Sequence, residues 1–146
     1  MGSIRKIDFN DLEEIYKLEK VIFSNCWSDQ IIKNQIKHPK GINLLVNNKG
    51  QILGYLFARD YIDFIEIERI GVEQSQRRNY IAEKLIKELE TITSLKGIKR
   101  IVLEVRVDNY SAIKLYKKHG FKDDSIRKNY YEEDGQDAVL MSKRLD

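Results

Sequence analysis

Glu104 stands in the middle of an apolar run, Ile101-Val102-Leu103-Glu104-Val105-Arg106-Val107, which ends at Asp108-Asn109 before a segment containing Tyr116. A carboxylate held at a cleft wall can take up a proton, directly or through a water, and a phenol can release one. In a strand, Val102, Glu104 and Arg106 alternate with Ile101, Leu103, Val105 and Val107, so Glu104 points away from the aliphatic set. On that pattern alone, a solvated glutamate paired with Arg106 explains the position better than a base does. Asn109 reads equally as a helix N-cap. Tyr116 shares a helical face with Ala112 and Ile113, and a core tyrosine with a locally bonded hydroxyl accounts for it without chemistry.

A second candidate is Gln76-Arg77-Arg78-Asn79-Tyr80-Ile81-Ala82, between a strand and a long helix. The free N–H groups of a helix start, with the helix dipole, favour an anion, and two arginines add to the attraction. The turn lacks glycines, so a solvated helix start accounts for it equally well. Cys26 is the only cysteine, which excludes an internal disulfide and makes a reducing compartment its natural home. A small buried hydrophobe explains Cys26 better than a nucleophile does.

The elements that must position these groups are legible in the periodicity. Residues 4–7 suit a short strand, and Asn10 suits the N-cap of a helix carrying Leu12, Ile15, Leu18 and Ile22. A second helix opens at Ser28, with Trp27 and Ile32 placed as a hydrophobic staple, and it ends before Pro39. Strands follow at 42–46 and 51–59, joined by the tight turn Asn47-Asn48-Lys49-Gly50. In a third strand, 64–72, Phe64, Glu66, Glu68 and Ile70 share one face and Ile65, Ile67 and Arg69 the other. Neither face is cleanly apolar, so this strand borders a groove. From Arg78 the period becomes helical through Ile81, Ala82, Leu85, Leu89, Ile92 and Leu95, closed by Gly97. A strand at 98–107, a helix at 111–119 closed by Gly120, and strands at 121–127 and 138–145 complete the order β-α-α-β-β-β-α-β-α-β-β. That order predicts an α/β fold with a mixed sheet, in one domain spanning 1–146.

With 42% hydrophobic and 34% charged residues, the chain belongs with globular proteins and away from disordered ones. Its net charge of +3 suits an anionic ligand or a ribosomal partner, yet falls far short of what argues for nucleic-acid binding. No apolar run spans a bilayer and no charged-then-apolar leader is present. Lys6 stands where a myristoylation motif wants Ser or Thr. The expectation is a cytoplasmic protein, a monomer or weak dimer, with neither membrane nor direct nucleic-acid contact and no metal.

Glu104-Val105-Arg106-x-x-Asn109-x-x-Ala112-Ile113-x-Leu115-Tyr116-x-x-x-Gly120-Phe121 resembles the signature of the GNAT acetyltransferases. More narrowly the chain resembles the ribosomal-protein-alanine N-acetyltransferases. Trp27-Ser28, Ile70-Gly71-Val72, and Arg127-x-x-Tyr130-Tyr131 followed by Asp137-Ala138 and Met141 agree in order along nearly the whole chain.

The resemblance implies the GNAT fold, a mostly antiparallel sheet of about seven strands with four flanking helices, and acetyl-CoA as co-substrate. It implies that main-chain groups of Ile70, Gly71 and Val72 hold the acetyl carbonyl and pantetheine arm. Arg77, Arg78, Asn79, Tyr80, Ile81, Ala82 and Glu83 would wrap the pyrophosphate, and Asn109 would also contact the cofactor. Glu104 would accept the proton of the attacking amine, and Tyr116 would give one to the departing thiolate. Trp27, Tyr130 and Tyr131 would line the way in for the acceptor, although core packing and hairpin closure explain these aromatics too.

An α-amino group with a pKa near ~8 is neutral in about one molecule in ten at pH 7, against about one in 2,500 for a lysine near ~10.4. One carboxylate working through water suits the first, so the implied acceptor is the N-terminal segment of a protein, a ribosomal one beginning with alanine. A GNAT acting on a lysine or small amine shares every cofactor motif, and a weakened acyl-CoA-binding domain would keep the fold. The family's turn has glycine where Tyr80 stands. A tyrosine there at φ above zero is strained by roughly 1–2 kcal/mol. The expectation is helical dihedrals instead, with the ring turned away from the phosphates.

Overall fold

Lys49 at φ 53° and Gly50 at φ 83° form a two-residue loop whose left-handed backbone conformations match the right-handed twist of the flanking strands, and it joins β2 (Gly41–Asn48) to β3 (Gln51–Asp60). This is the start of the antiparallel half of a sheet seen in the computed structural model, which describes residues 2–77 and 80–146. The remaining strands are β1 (Ser3–Lys6), β4 (Ile65–Val72), β5 (Arg100–Arg106), β6 (Lys122–Arg127) and β7 (Ala138–Arg144), and the seven run in the order β1-β2-β3-β4-β5-β7-β6. Every neighbouring pair is antiparallel except β4 and β5. The helices are α1 (Leu12–Ile22), α2 (Asp29–Lys37), α3 (Ile81–Leu95) and α4 (Tyr110–Lys118).

Two cores cover the two faces. Leu85, Ile86 and Leu89 of α3 are fully buried against Leu56, Ile65 and Ile101, and Tyr116 of α4 and Phe121 join the same cluster. On the opposite face Ile15 of α1 and Ile32 of α2 are fully buried with Leu45, Tyr55 and Phe57. Each such side chain contributes roughly 1.5–3 kcal/mol of burial, enough to fix the faces of all four helices. No helix among the described residues is long and apolar enough to cross a membrane.

Several local expectations need correction. The first helix is not capped by Asn10. Asp8 caps a short 3-10 turn, Phe9–Asp11, in a reciprocal capping box with Asp11, and α1 begins only at Leu12. Two acidic side chains flanking the turn compete better for its free N–H groups than one amide does. Ser28 does cap α2, accepting from Ile31 N–H at 3.2 Å. The long helix starts at Ile81, the first residue of its apolar pattern.

The third strand departs most. Phe57 pairs with Arg69 and Ala58 with Ile67, so Glu68 is an extra residue, a β-bulge. Before the bulge Ile65 and Ile67 face the α3 core; after it Ile70 and Val72 do. Arg69 therefore does not share the face of Ile65 and Ile67, and Ile70 does not share that of Glu66.

Candidate active site

Among the described residues the β4–β5 ladder runs only from Ile65 with Ile101 to Ile67 with Leu103. The bulge at Glu68 twists β4 away, and the strands part into a V whose β4 edge offers main-chain groups to the opening. Two cavities meet there, of about 610 Å³ and about 730 Å³, and Phe23, Ile70, Asn109, Ala112 and Tyr116 line both.

The first cavity runs from Ile70 and Val72 to the start of α3 and is also lined by Arg77, Tyr80, Ile81, Ala82 and Glu83. Lys84 N–H bonds to Tyr80 C=O, the first bond of the helix, so the amides of 81–83 have no partner within α3. The Tyr80 side chain does not cap this end. Tyr80 has φ 62° and ψ 23°, in the left-handed region, which contradicts the expected helical dihedrals. Its ring is exposed, with Lys118 Nζ 5.7 Å from the centroid. A tyrosine in that region carries backbone strain that the surrounding structure has to hold. Arg78 and Asn79 lie outside the described residues.

Gly71 takes no part in the lining of either cavity. A Cβ there would meet the Tyr55 ring at 2.5 Å, so the missing side chain makes room for a buried phenol on the other face. Asn109 does cap α4, its Oδ1 accepting from Ala112 N–H at 3.2 Å, and it lines both cavities as well.

The second cavity is walled by β4 and β5, by the α1–α2 connection with Trp27, and by the β6–β7 loop with Tyr130 and Tyr131. Glu104 and Tyr116 both line it. Glu104 Oε1 lies 3.9 Å from Arg127, while Oε2 is buried and has no hydrogen-bond partner among the described residues. Tyr116 is buried, its ring 5.7 Å from Phe121, and burial pushes its pKa up to about 12. Tyr130 and Tyr131 meet edge to face at 5.1 Å. Arg127 lies over the first ring at 5.4 Å and Arg106 over the second at 4.6 Å. Burial, then the neighbouring Glu104, raises the pKa of Tyr130. Trp27 stacks on Phe57 at 5.4 Å while also walling the cavity, so the core and cleft readings hold together.

Sequence reasoning missed Glu66, Glu68, Phe23 and the Glu19–Arg69 pair. Burial, then Glu68 and Glu104, pushes Glu66 up to about 7. Glu68 is raised as well, first by burial, while Tyr61 O–H donates to it at 3.4 Å. The mixed faces of the third strand were the available signal, but without the bulge they could not be sorted. No group of three or more His, Cys, Asp or Glu suited to a metal ion occurs among the described residues.

The arrangement can bind an anion and an extended arm in one cavity, receive a second molecule in the other, and set the Tyr116 phenol where they meet and the Glu104 carboxylate in the wall of the second. The profile of the acetyltransferase (GNAT) family matches residues 12–121. The ribosomal protein bS18-alanine N-acetyltransferase of Haemophilus influenzae is 30% identical, covering 97% of this chain and 98% of its own. That of Escherichia coli (strain K12) is 26% identical, covering 97% of both. The crystal structure of the Escherichia coli ribosomal-protein-S18-alanine N-acetyltransferase superposes with a TM-score of 0.92 at 24% identity, covering 100% of this chain and 95% of that one.

Proposed function

Because the chain belongs to the GNAT acetyltransferase family, we propose that it moves the acetyl group of acetyl-CoA to the α-amino group of a protein, an N-terminal alanine of a small-subunit ribosomal protein. The relatives named for that reaction, matched over nearly their full length, support the acceptor. The observation that carries the chemistry is the buried Oε2 of Glu104, without a hydrogen-bond partner among the described residues, in a cavity it shares with Tyr116.

The first cavity fits the co-substrate. The amides of 81–83, which have no partner within α3, and Arg77 suit a pyrophosphate, and the parted edge of β4 at Ile70 and Val72 offers main-chain groups to an extended pantetheine arm. Acetyl-CoA supplies an activated acyl group, so no covalent enzyme intermediate is required. Asn109 and Ile70 stand at the junction and orient the two reactants for direct attack in a ternary complex.

Glu104 accepts the proton released by the amine as the N–C bond forms, directly or through one water. Tyr116 keeps its proton at neutral pH and donates a hydrogen bond to sulfur as the C–S bond breaks. A thiol with a pKa near ~8.5 is the stronger acid of the two, so hydrogen-bond donation is the role its raised pKa supports, with solvent completing the protonation. Trp27, Tyr130 and Tyr131 wall the acceptor's path.

The test is incubation with labelled acetyl-CoA and peptides beginning with Ala, Ser or Met, each with an internal lysine, with the modified position read by mass spectrometry. Acetylation of the α-amine, fastest for Ala, is the expected result. Label confined to the lysine ε-amine, or no transfer despite acetyl-CoA binding, would overturn the reading.

A further inference from the structure

Arg69 directly follows the bulge residue of β4, and its guanidinium meets three parts of the α1–α2 connection and its anchor. Nε and Nη2 donate to Glu19 Oε1 at 3.1 Å and Oε2 at 2.8 Å. Nη2 also donates to the main-chain oxygen of Asn25 at 2.9 Å. The plane of the group lies over the Phe23 ring, 3.7 Å from its centroid, with Trp27 at 5.4 Å. Glu19 is fully buried on α1, and its oxygens also accept from Tyr55 O–H at 2.7 Å and from Trp27 N–H at 2.7 Å. One ion pair thus grips the connection at the Asn25 carbonyl, the Trp27 amide and the Phe23 ring.

Stability alone is a poor reason for this arrangement, since a hydrophobic pair of similar volume does as well as a buried ion pair. A planar fork adds direction: bonds in one plane, a ring against its face. The ring it holds, Phe23, is the one side chain of 23–28 that lines both cavities. We infer that Arg69 is a positioning residue for catalysis, acting through Glu19, Phe23 and Trp27 to set the acceptor wall against the strand that takes the thioester. The inference rests on the acceptor reading above and adds to it the element that fixes that wall.

The variants are Arg69→Lys, Arg69→Gln, and Glu19→Gln with Arg69→Gln together, the last leaving no unpaired buried charge if the single change fails to fold. Trp27 is the only tryptophan, so its emission reports on the wall. In Arg69→Gln and the double variant the KM for the acceptor peptide rises by about tenfold or more, while the Kd for acetyl-CoA stays within about twofold. Emission shifts to the red, and Arg69→Lys falls between these variants and the native chain. An acceptor KM within about twofold of the native value, or equal losses for both substrates as general loosening produces, overturns the inference. If the native chain acetylates no peptide α-amine, the acceptor reading fails by itself. Emission and acetyl-CoA binding in the same variants still decide the hold, and unchanged emission would overturn it.

Discussion

Burial favours the protonated form of two groups that face the same groove. Tyr116, enclosed beside Phe121, is held protonated by its raised pKa. Removing only the hydroxyl in Tyr116→Phe keeps the packing, so we expect kcat to fall by about 10²-fold with a nearly unchanged melting temperature. A large loss of stability would show that the phenol serves the core. Glu66 has been pushed to about 7 by burial and by Glu68 and Glu104, from an ordinary value of 4.5. Between those values the folded chain binds a proton that the unfolded chain releases, so Glu66 costs stability as pH rises through this window. Glu66→Gln removes the cost. The variant should match the native protein at pH 4.5 and exceed it at pH 8 by about 1 kcal/mol, the size set by solvent screening in an open groove. Melting curves at the two pH values check this, and equal differences at both would contradict it.

The bulge and the α3 turn decide where the elements leave the sheet. The turn is where tyrosine stands in the left-handed region, at φ 62°. Asparagine tolerates that region better and also caps a helix, so Tyr80→Asn should raise the melting temperature by about 2–4 °C. Titration calorimetry should find acetyl-CoA bound at least as tightly. A lower melting temperature would mean that the Tyr80 ring over Lys118 outweighs the strain. Much of this level was legible beforehand. The alternation around Glu104, the Ser28 cap and the closing glycines all follow from local rules, as do the elements themselves. The facing of Arg69 was not, because a bulge adds one residue without leaving a mark in composition, and only the register with β3 reveals it. Tyr80 misled because side-chain preference argued against the left-handed conformation that the chain adopts there all the same. The Glu19–Arg69 pair joins residues 50 apart in the chain, which no periodicity can connect.

At the scale of the whole molecule, the parted strands make one groove with two ends. The groups proposed to carry the chemistry come from β5 and α4, the walls from the α1–α2 and β6–β7 connections, and Asn25 Nδ2 donates to Glu133 at 3.2 Å between those two walls. The convergence has a purpose if an amine entering by the second cavity must lose its proton beside a thioester in the first. The most direct test is the pH dependence of kcat/KM for Glu104→Gln against the native chain, with an N-terminal alanine peptide as acceptor. Below the ~8 of an α-amine the acceptor arrives protonated and needs the carboxylate, while above it the amine arrives neutral. The account predicts a deficit of about 10²-fold or more at pH 6.5 that narrows to about tenfold or less at pH 9, with acetyl-CoA affinity unchanged. Activity equal to the native chain's across that range would remove Glu104 from the chemistry and contradict the account.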